Sequence, residues 1–229
     1  MSRTLKYDIP GRDFRIYFDE YGEPPSLERW AEIFAPDVRP PLDLVVDIGF
    51  GRGEFLVDEA RKQPHRAFIG VERSFKRTLK MARRLPRLGI ANVRLVEAMA
   101  ETGIAELLPE NSIACAWINF PDPWPKDRHA PRRLVQAPFI RELARRLAEG
   151  GELHLATDDS TYAKQMAEVL AAEPLLVNLY APESYRREVS GRKRTAYELE
   201  WFEQGRSFHY FAYWKRPPQT DRSAAAGGA

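Results

Sequence analysis

Residues 42–63 read LDLVVDIGFGRGEFLVDEARKQ, and the fold turns on how this stretch is parsed. The run from Leu42 to Ile48 is short, apolar and ends in glycine, the pattern of a buried strand. Gly49, Gly51 and Gly53 follow, and then Phe55, Leu56, Glu59 and Ala60 fall at helical spacing. Strand, glycine turn and helix form the first half of a βαβ unit.

The same alternation extends along the chain. HRAFIGVE (65–72), NVRLVEA (92–98), SIACAWINF (112–120), ELHLATD (152–158), PLLVNLYA (174–181) and SFHYFAYWK (207–215) read as further strands. Between them lie helical patterns: RSFKRTLKMARRLPRLG closed by Gly89, ETGIAELL, PRRLVQAPFIRELARRLAEGG closed by Gly150–Gly151, and DSTYAKQMAEVLAAE. The expectation is an α/β fold, a mostly parallel seven-stranded sheet with helices on both faces. Residues 1–41 read as a partly irregular arm with a short helix near Ser26–Phe34. Residues 42–216 read as the domain, and 217–229 as a disordered tail.

Composition narrows the class. Of 229 residues, 44% are hydrophobic, enough for one core. No run of about 18 apolar residues suggests a membrane span, and MSRTLKYDIPGRD lacks the apolar segment of a signal peptide. The single cysteine, Cys115, excludes an internal disulfide and reads as a small residue in a buried strand. His65, His154 and His209 show no ligand spacing, so no metal is expected. A cytoplasmic protein is the expectation.

In parallel sheets ligands sit beyond the carboxyl ends of the strands, here just after residues 48, 72, 98, 119 and 157. The first of these places is Asp47-Ile-Gly49-Phe-Gly51-Arg-Gly53. It is neither the dinucleotide G-x-G-x-x-G nor a P-loop, and Asp47 makes it a poor seat for an anion. A cation or an uncharged ribose suits it better. Glu72 ends the second strand, where one carboxylate can accept from two vicinal ribose hydroxyls. S-adenosylmethionine fits both features, having an adenosine, no phosphate and a sulfonium charge.

Charge is segregated although the net charge is only +2. Arg73, Lys76, Arg77, Lys80, Arg83, Arg84 and Arg87 follow one another with no acid between them, and like charges at i,i+4 oppose helix formation. Basic residues also dominate Lys126–Arg146 and Arg186–Arg194, while acids gather at Asp19, Glu20, Glu23, Glu28, Glu32 and Asp37. One face meeting a polyanion accounts for this.

The motifs D-I-G-F-G-R-G, G-V-E, N-F-P-D-P-W-P-K-D-R-H, R-R-L-V-Q-x-P-F, A-T-D, T-A-Y-E and F-x-Y-W-K resemble those of the bacterial tRNA (guanine-N7)-methyltransferases from about Leu42 to Lys215. The resemblance implies a Rossmann-like class I methyltransferase fold, S-adenosylmethionine as methyl donor and N7 of a variable-loop guanosine in tRNA as acceptor. It requires no protein partner. It places donor-binding residues on Asp47, Glu72 and Asp122, with Met99 at the adenine, and tRNA contacts on Lys126, Asp158, Thr195, Ala196, Tyr197 and Glu198. Two departures stand out: Asp47 where Glu is usual, and Met99 where Asp is usual.

The segment FPDPW then has a chemical reading. Guanine N7 carries a lone pair and no proton, so methyl transfer from a sulfonium needs positioning and charge placement rather than a general base. Prolines fix φ beside Asp122. Asp122 can hold the N1–H and N2–H₂ edge of guanine or the amino group of the donor, and its charge favours the cationic product. Trp124 can stack on a base or pack as a wall. Lys80, Arg84, Arg128, Arg132 and Arg133 suit RNA phosphates, and His129 could join them. Two other readings remain: a methyltransferase acting on another RNA or DNA base, and a non-catalytic RNA-binding module. The donor features at Asp47, Gly49, Gly51 and Glu72 speak against the second.

Overall fold

The computed structural model describes residues 7–17, 25–190 and 195–217. Asp19, Glu20, Glu23, Arg192, Lys193, Arg194 and all but Pro217 of the expected tail lie outside these residues. In chain order the elements are β1 (Arg15–Ile16), α1 (Leu27–Phe34), β2 (Leu44–Ile48), α2 (Glu54–Lys62), β3 (Ala67–Glu72), α3 (Phe75–Leu88), β4 (Val93–Glu97) and α4 (Ala100–Leu107). There follow β5 (Ile113–Asn119), a 3₁₀ turn (Asp127–Arg132), α5 (Ala137–Arg146), β6 (Leu147–Thr157), α6 (Ser160–Ala171), β7 (Leu176–Asn178), α7 (Ala196–Phe202) and β8 (His209–Lys215).

One sheet carries all the strands in the order β1-β4-β3-β2-β5-β6-β8-β7. The first six of these are parallel, and β8 runs antiparallel to both β6 and β7. The strand order reverses between β2 and β5, which opens a crevice at their carboxyl ends. β2 and β3 are buried along their whole length, as expected of strands covered on both faces. Val45, Phe68, Val93 and Leu95 pack against Leu56 and Ala60 of α2 and Met81 and Leu85 of α3. On the other face Val46, Ile69, Ile118 and Leu155 meet Phe34 of α1, Ile104 of α4, Ile140 of α5 and Met166 of α6.

Two expectations are corrected. The sheet has eight strands, because Arg15 and Ile16 pair with Leu95 and Val96 and add an edge strand. The helix expected over 131–151 is α5 alone. Pro138 lacks an N–H and is tolerated only in the first turn, so the helix opens there, at Ala137. Gly150–Gly151 is not its cap but an irregularity inside β6. Gly150 has φ +71°, and a Cβ on Gly151 would lie 2.6 Å from the Ile113 carbonyl oxygen, where the β5–β6 register shifts. The T-A-Y-E motif is a helix start. Thr195 Oγ1 accepts from the Glu198 N–H at 3.1 Å, and Glu198 Oε2 from the Thr195 N–H at 2.7 Å, a capping box that opens α7.

Candidate active site

A cleft of about 830 Å³, mouth included, lies at the carboxyl ends of β2, β3 and β5. Gly49, Glu72, Met99, Asn119, Phe120, Asp122, Trp124 and Arg132 are among its lining residues. The reversal in strand order makes the crevice, and the residues that end each strand furnish it.

Glu72 sits at the floor, 3% exposed. Its Oε2 accepts the Gly51 N–H at 3.0 Å and its Oε1 the Ser74 N–H at 2.9 Å, with Arg77 at 3.5 Å. Each oxygen keeps capacity for a further donor. Gly49 has φ +76°, and a Cβ there would project into open space, so the backbone itself presents to the cleft. Gly53, at φ +73°, is required for packing instead: a Cβ would fall 1.8 Å from Met81 Cε. Asp47 and Gly51 do not line the cleft. Asp47 is buried in β2, level with Gly70 and Trp117, and Gly51 reaches the site through Glu72. Met99, half exposed just before α4, forms part of the rim.

Asp122 stands across the mouth with a side chain 70% exposed, and Arg73 approaches it at 3.4 Å. Its loop is conformationally unusual. Phe120 and Trp124 adopt φ +53° and +43°, a left-handed backbone costly for residues with a Cβ. The Phe120 N–H is held by the Ala156 carbonyl at 2.9 Å, and its ring lies 5.6 Å from Phe208 and 5.0 Å from Tyr197. Trp124 is a half-buried wall of the cleft, with the Arg132 guanidinium 5.1 Å from its ring and His129 edge-on at 5.7 Å.

Arg133 corrects the sequence reading. It was expected to face RNA phosphate, yet it is only 5% exposed. Its Nε donates to the Pro123 carbonyl at 2.8 Å and its two terminal nitrogens to Gln165 Oε1 at 2.6 Å and, more weakly, the Trp124 carbonyl at 3.4 Å. Lys126, Lys80, Arg128 and Arg132 are exposed, while Arg84 is half-buried and reaches the Arg52 carbonyl at 3.4 Å.

Asp158 follows β6 at the same rim. Its Oδ2 accepts from Tyr197 Oη at 2.9 Å and pairs with Arg206. The neighbouring Asp159, not Asp158, caps α6, accepting the Tyr162 N–H at 2.7 Å. Burial, then the bond to Asp158, pushes the Tyr197 hydroxyl up to about 12. Glu198 is a second correction. Expected at the tRNA, it is fully buried, accepting from Thr195 N–H and from Tyr210 Oη at 2.8 Å. It holds α7, which Ala196 opens.

On the face of the sheet toward α2, Cys115, Glu152 and His154 come within 4.8 Å of one another. Sequence spacing hides this because the three sit on two neighbouring strands. Glu152 and His154 are each other's partners at 2.7 Å, Trp117 stacks on the imidazole at 4.2 Å, and burial pushes the Cys115 thiol up to about 12.

Comparison with known proteins agrees with this geometry. A family model described as "Putative methyltransferase" matches residues 42–211. The chain is 34% identical over 215 residues to a tRNA (guanine-N(7)-)-methyltransferase of Geobacter metallireducens, covering 94% of this chain and 97% of that protein. It is 42% identical to one of Paracidovorax citrulli over 71% of each. With one of Thermotoga maritima it is 37% identical over 77% of this chain, spanning about half, 54%, of that longer protein. Among solved structures, the 16S rRNA methyltransferase KamB superposes with a TM-score of 0.59 at 15% identity, covering 84% of this chain and 94% of that one. The fold and its cleft define a Rossmann-like methyltransferase. Within that class, the chain belongs to the tRNA (guanine-N7)-methyltransferase family.

Proposed function

We propose that the protein transfers a methyl group from S-adenosylmethionine to N7 of a guanosine in tRNA, in the variable loop. The observation that carries the reading is the pairing of a buried carboxylate, Glu72, with an exposed one, Asp122, across a single cleft whose rim is basic. The family relationship supports the acceptor.

The residues present fit the donor. Glu72 is pre-oriented by two backbone amides and has lone pairs left for vicinal hydroxyls. The open position at Gly49 leaves room for a ligand against the backbone. Met99 offers an apolar edge to a purine. When bound, the donor supplies an electrophilic methyl on a sulfonium. The chain's residues do the rest. Glu72 fixes the nucleoside end. Asp122 orients guanine or the donor's amino group and favours the positive charge that develops on the purine. Phe120 and Trp124 wall the cleft, and Lys76, Lys80, Arg87, Lys126, Arg128 and Arg132 offer exposed cations to the phosphate backbone. No side chain removes a proton, because N7 has none.

Incubating unmodified tRNA with the protein and S-adenosylmethionine, then digesting to nucleosides for mass spectrometry, tests the reading. 7-Methylguanosine within the variable-loop fragment is the expected product. A different methylated nucleoside, or none, refutes it.

A further inference from the structure

The loop that presents Asp122 is under backbone strain on both sides, at Phe120 and Trp124. Strain of this kind persists only where surrounding contacts over-determine it. On the Phe120 side the anchors are the bond to the Ala156 carbonyl and the contacts with Phe208 and Tyr197. On the Trp124 side, Pro123 and Pro125 have no N–H with which to tie the chain down. The Asp122 side chain adds little, since its contact with Arg73 is long and exposed.

Arg132 and His129 touch only the Trp124 ring, whereas Arg133 holds the backbone itself. Its planar fork donates to two consecutive carbonyls of the loop, Pro123 and Trp124, while the same guanidinium is tied to Gln165 of α6. The Arg133 guanidinium lies 5.2 Å from the ring centroid of Tyr162 in α6, and the Tyr162 hydroxyl accepts the Val135 N–H at 2.9 Å. Gln165 Nε2 donates to the Val135 carbonyl at 3.2 Å, so the brace is itself braced.

We infer that Arg133 is a positioning residue for methyl transfer, clamping the Pro123–Trp124 peptide to α6 so that Asp122 is aimed into the cleft. The inference rests on the proposed methyltransferase reading and deepens it. Lysine cannot replace the fork, because one ammonium cannot span two carbonyls and Gln165 with fixed geometry. The arrangement also explains why a cation placed among basic residues is withdrawn from the RNA-facing surface.

The test compares the wild type, Arg133→Lys, Asp122→Asn and the double variant. It measures single-turnover methylation, tRNA affinity across a salt series, thermal unfolding and amide exchange at Trp124. Arg133→Lys should lower the single-turnover rate about 100-fold, the cost of a displacement near 1 Å. It should leave tRNA affinity and its salt slope unchanged and speed exchange at Trp124. In the Asp122→Asn background the same change should add little, since both act through one group. Equal losses in both backgrounds would mean general destabilisation and would overturn the inference. A shallower salt slope would overturn it in favour of a phosphate contact. If Arg133→Lys unfolds, Gln165→Ala keeps the guanidinium and removes its brace, and an unchanged rate and Trp124 exchange in that variant overturn the inference. A wild type that methylates no tRNA defeats the underlying reading instead, while Trp124 exchange still reports the clamp.

Discussion

The backbone N–H of Gly51 donates to Glu72 Oε2 across 3.0 Å, so the glycine loop after β2 and the acid that ends β3 are one unit. A second amide, from Ser74, holds the other carboxylate oxygen at 2.9 Å. The loop shapes the acid, and the acid fixes the loop. Glu72→Ala should therefore weaken S-adenosylmethionine binding by roughly 1.5–3 kcal/mol, the range for hydrogen bonds to a charged group, and leave tRNA affinity nearly intact. Calorimetry with the donor measures this. Unchanged donor affinity would remove Glu72 from the site.

Met99 lines the cleft and is 51% exposed, so it is not a core residue and its replacement should not harm folding. Met99→Asp should give the adenine amino group an acceptor and tighten donor binding by roughly 0.5–1.5 kcal/mol. A stable variant that binds the donor more weakly would show that the adenine lies elsewhere.

The cations of α3 and of the segment after β5 carry the electrostatic prediction. Replacing Lys80, Arg84 and Arg132 together with Ala should lower tRNA affinity and flatten the slope of log affinity against log salt by up to about 0.9 per lost contact, the duplex limit. Filter binding across a salt series decides it. An unchanged slope would make these side chains solvated bystanders.

His209 is buried, with its ring against Tyr185 and near the Thr157 carbonyl. Burial first, then repulsion from Arg187, holds its imidazole below the ordinary value, while the Thr157 carbonyl, Asp159 and Asp158 act in the opposite sense. The unfolded chain then takes up this proton before the folded one does. The stability tied to neutral His209 is complete above about pH 6.5 and is lost as pH falls through the lower, folded value. Denaturant midpoints should drop on acidification in that window, and His209→Gln should flatten the drop. An equal drop in both proteins would assign it to other groups.

Strand, glycine turn and helix were legible from residues 42–63 because burial on both faces leaves continuous apolar runs in β2 and β3. The site's location followed from where those strands end. What could not be read was which charged side chains point inward. Arg133 sits in the same basic run as Arg128 and Arg132, and only the carbonyls of a strained loop distinguish it. Asp158 and Asp159 are adjacent acids, and one caps α6 while the other holds Tyr197. The T-A-Y-E motif was legible only through the resemblance, and Glu198 is buried with Tyr210, a partner on another element. Gly150–Gly151 carries the signature of a helix end and instead bulges a strand, because the neighbouring Ile113 backbone passes too close for any side chain.

The last prediction concerns Asp122, whose exposed carboxylate stands at the mouth between two prolines and opposite Arg73. Asp122→Asn keeps the shape and one acceptor oxygen but removes the charge. If the carboxylate orients guanine or donor and stabilises developing positive charge, single-turnover methylation should fall by about 10²–10³-fold. Because the side chain is largely in solvent, unfolding temperature should hardly change. Affinity for tRNA should stay near that of the wild type, since most of it comes from phosphate contacts made elsewhere. Raising pH from about 6 to 9 should not restore the rate, as a purine N7 has no proton to lose. Rate measurements on both proteins across that range separate the possibilities. Recovery at high pH would mean that a proton is removed during transfer, and the acceptor would then be an amino group or a ring N–H instead of N7. A wild-type rate at every pH would leave Asp122 with no part in the chemistry.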